Sequence, residues 1–163
     1  MVALTAEIQK FVRNERLGYV ATVSADGSPN LSPKGSLTVW DERRLMFADV
    51  ESPHTIRNLD SNPKVEINVV DPFTRKGYRF RGLGTVLRTG NDFWKAVDHY
   101  KSEGADIRRI RAIVFVDVQE VAPLVSPVYL LGLNEDDVRR LWEEFHVKSI
   151  AKTVVDLVPP NDF

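Results

Sequence analysis

The run Gly18-Tyr-Val-Ala-Thr-Val-Ser-Ala-Asp-Gly-Ser28, continuing into Pro29-Asn-Leu-Ser-Pro-Lys-Gly-Ser36, constrains the fold more than any other stretch of this chain. Residues 18–24 are rich in β-branched and aromatic types. Asp26-Gly27 between two strand-like runs signals a hairpin, because glycine accepts the left-handed backbone that a tight turn requires. The second strand is expected over about 30–40, and Leu45-Met-Phe-Ala48 reads as a third beyond the polar turn Asp41-Glu-Arg-Arg44. Three strands joined by short turns suggest an antiparallel meander.

Further strands follow. Lys64–Val70 alternates, with Val65, Ile67 and Val69 on one face. Tyr78–Leu87 places Tyr78 and Phe80 opposite Arg79 and Arg81, and Arg111–Val121 carries the apolar run Ile113-Val-Phe-Val116. Helices are expected over 5–16 with Thr5 as cap, from Ser52-Pro53 to about Leu59, and from Asn91 as cap to about Lys101. A last helix is capped by Asn134 and striped by Val138, Leu141, Trp142 and Phe145, while the tail Ser149–Phe163 has no clear period. About six strands, consecutive rather than alternating with helices, predict an α+β barrel in a single domain spanning 1–163.

Composition narrows the function classes. The net charge of −1 gives no global attraction to nucleic acid or anionic lipid. The absence of cysteine excludes disulfides, thiolate metal sites and cysteine nucleophiles. No apolar run reaches the roughly 18 residues of a membrane helix. The N-terminus lacks the layout of a signal peptide, so a cytoplasmic protein is the expectation.

Lys34 stands between Pro33 and Gly35 on the second strand. Proline implies an edge or a bulge, and glycine leaves room for a group to approach the backbone. Lys34 therefore reads either as a surface lysine on an edge strand or as a cation facing a ligand that lies along it. One strand later, the Ser52-Pro53 helix start offers the N–H groups of His54 and Thr55, the hydroxyls of Ser52 and Thr55, and the positive end of a helix dipole. That is either an ordinary cap or an anion site, and the two places together suit the phosphate of a cofactor. Four of the eight residues in Arg75-Lys-Gly-Tyr-Arg-Phe-Arg-Gly82 are basic. This stretch is a solvated strand face or a cofactor approach through Lys76 and Gly77, and the near-neutral total argues against nucleic acid. His54, His99 and His146 show no metal-ligand spacing, so no metal site is expected. Ser24, Ser28 and Ser36 have no Gly-x-Ser-x-Gly context, and Gly82-Leu-Gly84 precedes strand rather than helix, so neither a hydrolase triad nor a dinucleotide fingerprint is expected.

The runs LGYVATVSADGSPNLSPKG, FADVESPHTIRNLDSNPKVEINVVDPF and RKGYRFRG resemble the flavin-nucleotide-binding branch of the pyridoxamine 5′-phosphate oxidase superfamily. They lie between Leu17 and about Gly90, and the remainder matches less distinctively. The resemblance implies an antiparallel split β-barrel with flanking helices and a homodimer with FMN in each of two clefts between subunits. It implies cofactor contacts along Ser32, Pro33, Lys34, Gly35 and Ser36, at Ala48 and Asp49, at Ser52, His54 and Thr55, and at Lys76 and Gly77. Lys34 is implied to meet the phosphate. The activity implied is that of a flavin-dependent oxidoreductase acting with a small-molecule substrate or electron donor. A flavin carrier or sensor, or a binder of F420 or heme on the same barrel, are the alternatives. Two departures stand out. Ser52-Pro-His-Thr55 replaces the oxidase's basic Ser-Arg-Lys run, and no Arg-x-His substrate motif occurs near the C-terminus, so pyridoxamine phosphate is not the expected substrate.

Overall fold

The computed structural model describes residues 2–157, with side chains through Ser149. The elements are α1 (Ala6–Glu15), β1 (Gly18–Val23), β2 (Pro29–Lys34), β3 (Thr38–Val39), β4 (Arg44–Asp49), α2 (Pro53–Ser61), β5 (Lys64–Val70), β6 (Lys76–Leu87), α3 (Asn91–Ser102), β7 (Ala112–Val125) and α4 (Glu135–Leu157). Seven strands form one sheet in the order β2-β1-β5-β6-β7-β4-β3. This is the expected α+β antiparallel split barrel, curled into a half-barrel, with seven strands rather than six.

The hairpin forms where Asp26-Gly27 requires it. Gly27 takes a φ of 85°, and the Ser28 N–H donates to the Asp26 carboxylate at 2.9 Å. The meander does not form. The second strand stops at Lys34, and Gly35–Leu37 carries the chain from one edge of the sheet to the other. The Leu37 N–H donates to the Lys34 carbonyl within this turn. β2 pairs only with β1, whereas β3 and β4 form a second hairpin whose inner strand pairs with β7. The reason is visible at Pro33, which has no N–H to extend a ladder and so suits an edge.

One compact unit comprises the residues up to Val70 together with Gly77–Pro123. Its barrel interior holds Val20, Leu45, Phe47, Ile67, Phe80, Val114 and Val116, and Val12 of α1 packs against the same core. Thr5 caps α1 by accepting from the Ile8 N–H. The unbroken apolar runs of β4 and β7 follow from burial on both faces. Met46, Ala48, Ile113 and Phe115 point away from the interior and pack on Phe93, Ala96, Val97 and Tyr100 of α3. Asn91 is the first residue of α3 rather than its cap. Gly90, with φ 96°, holds the capping position, and no side chain caps the helix.

The second unit comprises Asp71–Lys76 and the described residues from Leu124 onward. The Asp71 carboxylate organises its loop, accepting from the Phe73 N–H at 2.8 Å, the Thr74 hydroxyl at 2.8 Å and Arg139 at 3.1 Å. Burial opposes ionisation of Asp71, but these bonds prevail and hold its carboxyl below the usual range. The Tyr129 hydroxyl donates to the Thr74 carbonyl at 2.6 Å. Asn134 caps α4 by accepting from the Asp137 N–H. The stripe expected along α4 is buried only at Val138, and Leu141 and Phe145 are half exposed. The helix continues to Leu157, through part of the tail in which no period is visible. No helix among the described residues is long and apolar enough to cross a membrane.

Candidate functional site

Lys34 ends β2, and its side chain is buried with only 4% exposure. An ordinary edge-strand lysine would reach into water. Here Nζ donates to the Ser32 hydroxyl and to the Ser52 hydroxyl at 2.7 Å, and it lies 5.8 Å from the centre of the Phe47 ring. Lys34 forms no ion pair among the described residues. Burial lowers the pKa of its ammonium, and the nearby Asp49 carboxylate opposes that shift only in part.

Ser52 holds the N-cap position of α2 with Pro53 behind it, as its sequence requires, but its hydroxyl does not cap the helix. It is turned to Lys34 instead, while the buried Asp49 carboxylate accepts the Ser52 N–H at 2.8 Å. Pro53 has no N–H, and the next N–H groups of a first helical turn have no partner within the helix. The N-terminus of α2 therefore stands uncapped beside a buried ammonium and two hydroxyls.

Ser36 has a structural task in the crossover. Its hydroxyl donates to the Ala48 carbonyl at 3.2 Å and accepts the Ala48 N–H at 3.0 Å, tying the turn to β4. The Tyr100 hydroxyl anchors the same turn by donating to the Ser36 carbonyl at 2.7 Å. Gly35 is exposed, and a Cβ placed on it would meet nothing within 4 Å. Pro33 is exposed beside it.

Thr55 faces inward. Its hydroxyl is buried and accepts from Asn30 at 3.3 Å. Asn30 also donates to Thr22 at 3.0 Å, and Asn58 donates to the same Thr22 hydroxyl at 3.0 Å. This polar lock holds α2 against the first hairpin and thereby sets Ser52 beside Lys34. Thr22, Asn30 and Asn58 were not singled out by sequence reasoning. They come together only when three elements pack, so no local motif marks them. His54 is exposed, and the Arg57 guanidinium lies 2.8 Å from its Nδ1.

Of the twelve candidate residues, Lys34 touches both Ser32 and Ser52, and Asp49 touches Ser52. Ser36 and Ala48 form a neighbouring pair. Lys76 makes its contacts in the second unit, an ion pair with Glu135 at 2.7 Å and a cation–π contact with Tyr129 at 4.7 Å. Gly77 is packed against β5, where a Cβ would come within 2.0 Å of the Val69 carbonyl oxygen. No cluster of histidine, aspartate and glutamate suited to a metal occurs among the described residues.

A family model for pyridoxamine 5′-phosphate oxidase matches residues 4–139. HupZ of group A Streptococcus is 29% identical, with 77% of this chain and 96% of that one covered at a TM-score of 0.68. A putative pyridoxamine 5′-phosphate oxidase of Lactobacillus delbrueckii is 26% identical over 74% of this chain and 93% of its own, at a TM-score of 0.63. An F420 reductase is 25% identical over 72% of this chain and 98% of its own, at a TM-score of 0.55. At 14% and 20% identity, an FMN-binding protein of Syntrophomonas wolfei and the heme storage protein HutZ of Vibrio cholerae share the fold.

Proposed function

This chain belongs to the pyridoxamine 5′-phosphate oxidase family, and we propose that within it the protein binds FMN and serves as a flavin-dependent oxidoreductase on a small molecule. The observation that carries this reading is the buried ammonium of Lys34, held by the hydroxyls of Ser32 and Ser52 at the uncapped start of α2. A buried cation with neutral partners is poorly compensated, and an arriving phosphate would supply the missing charge. The donors fit that group: one ammonium, two hydroxyls and the first N–H groups of a helix.

Lys34, Ser32 and Ser52 would hold the phosphate. Ser36, Ala48 and Asp49 would shape the wall beside it, and the open backbone at Gly35 would admit the body of the cofactor. His54, at the exposed helix start, would flank the phosphate. Thr55 would act through the polar lock rather than by direct contact. Lys76 and Gly77 each already have a local structural role, and no contact with the cofactor is assigned to them. The chemistry that bound FMN supplies is hydride transfer at its isoalloxazine ring.

The dimer belongs to the same proposal. Tyr19, Ala21 and Val23 of β1 lie opposite Pro33, Leu31 and Pro29 of β2 on one face of the sheet. Tyr19 is 46% and Leu31 65% exposed. An apolar face of this kind suits burial against a second copy.

A second reading, F420 on the same barrel, is favoured by the similarity to an F420 reductase. The absorbance spectrum of the purified protein, with mass spectrometry of any released molecule, distinguishes FMN, F420 and heme. Titration with FMN then tests the site. Lys34→Ala is expected to weaken binding by about 1.5–3 kcal/mol if the contact is charge-assisted. An unchanged affinity would remove Lys34 from the site.

A further inference from the structure

We infer that the second unit carries a binding site for a small organic carboxylate, built by Arg75, Trp142 and His146. The Arg75 guanidinium lies over the Trp142 ring, 3.5 Å from its centre. Trp142 and His146 are one turn apart on α4, with ring centres 6.4 Å apart. Arg75 Nε, Trp142 Nε1 and His146 Nε2 are all buried, and none has a hydrogen-bond partner. A buried donor without an acceptor is costly, so the Arg75 and Trp142 N–H groups in one small unit amount to an unmet demand for an acceptor, which His146 Nε2 joins in the tautomer that carries its proton there.

The other described cations of this unit are satisfied. Lys76 pairs with Glu135, Arg139 with Asp71, Arg140 with Asp137 and Lys148 with Glu144. Arg75 has no carboxylate partner among the described residues. Its backbone is also unusual, with a φ of 57° in a residue other than glycine. The conformation is held by the Arg75 N–H donating to the Asp71 carbonyl at 2.9 Å and the Ser126 N–H donating to the Arg75 carbonyl at 3.1 Å. The loop thus keeps a strained arginine over an indole, and strain of this kind persists where surrounding structure over-determines it.

The chemistry of the donors defines the ligand. Indole and guanidinium donate and cannot accept, and imidazole Nε2 donates in one tautomer and when protonated. Such a set takes an oxyanion, and the planar guanidinium fork matches a carboxylate. Phe73 packs edge-on to His146 at 5.5 Å, and Phe145 packs against Trp142 at 5.4 Å and His146 at 5.6 Å. These walls favour an anion with an organic, preferably aromatic, body. Phe145 is 57% exposed, so this wall of the site borders solvent.

The test uses the full chain labelled with nitrogen-15 and follows the indole N–H signal of Trp142, assigned with Trp142→Phe. The probes are benzoate, its neutral isostere benzamide, and inorganic phosphate. Benzoate is expected to shift the signal saturably, with benzamide and phosphate doing so much more weakly. Arg75→Lys is expected to weaken benzoate roughly tenfold, because the charge is kept and the fork lost, with the signals of the sheet unit unmoved. No saturable shift with benzoate, or binding that survives both Arg75→Lys and Arg75→Ala, overturns the site. Benzamide binding as tightly as benzoate overturns charge recognition, and phosphate matching benzoate overturns the assignment to organic carboxylates.

Discussion

The chain contains two Lys-Gly pairs that look alike in sequence, Lys34-Gly35 and Lys76-Gly77, and their surroundings are opposite. Lys34 is buried, held by hydroxyls and without an ion pair among the described residues, while the glycine beside it is open to solvent. Lys76 is half exposed and paired with Glu135, while the glycine beside it is jammed against the backbone of β5. The first pair has an unmet electrostatic demand and an open approach, which is what a ligand site needs. The second has a satisfied cation and a glycine required by packing. The difference teaches that a basic residue beside a glycine points to a ligand only when its charge lacks a partner and the backbone beside it is free.

The largest expected effect tests the packing side of the contrast. Gly77→Ala would push a Cβ within 2.0 Å of the Val69 carbonyl oxygen and is expected to destabilise by about 3 kcal/mol. Gly35→Ala should leave stability within about 0.5 kcal/mol. Urea unfolding of both variants reads the difference, and equal losses would erase the distinction between the two glycines. Next comes the lock that sets α2 beside Lys34. Thr22→Val removes the hydroxyl to which Asn30 and Asn58 both donate and should cost about 2 kcal/mol in the same measurement. A neutral result would mean that other contacts position the helix.

Lys34 itself should show a smaller effect of the opposite sign. Lys34→Met removes a desolvated charge and is expected to stabilise the cofactor-free protein by about 1 kcal/mol. The sign with pH follows from the depressed pKa. Between the folded value and the ordinary 10.5, the unfolded chain holds more protons, so wild-type stability rises as pH rises through that window. The Met variant should lack this rise, and a destabilised variant at neutral pH would show that Lys34 contributes packing that the reading above leaves out. Smallest of all, Lys76→Ala should change stability by less than about 0.5 kcal/mol, because its ion pair is exposed and screened. A larger loss would put Lys76 on the same footing as Lys34.

Much of the framework was legible along the chain. Thr5, Asp26-Gly27 and Asn134 marked element ends because capping and turn chemistry act over three or four residues, and Ser52-Pro53 did so because proline suits the first helical turn. The alternation of Lys64–Val70 declared one buried face, and the structure buries Val65, Ile67 and Val69. The conjunction of Lys34 with Ser52 was also legible, since the intervening hairpin and loop are short. The pairing of strands was less so. Nothing local at Gly35–Leu37 announces a crossing from one sheet edge to the other. Nor does Thr55 announce that its hydroxyl turns inward to Asn30 rather than outward.

The sequence by itself determined where strands, turns and helix starts fall, and that an antiparallel barrel was the economical way to bury them. These are matters of backbone preference and periodicity, decided among neighbours. Only the tertiary structure decided that one lysine is stripped of water while another is paired. It alone brought Thr22, Asn30 and Asn58 into one polar lock, and it alone left the nitrogens of Arg75, Trp142 and His146 without acceptors. Burial and hydrogen-bond satisfaction depend on residues far apart in the chain, so they exist only once the elements have packed.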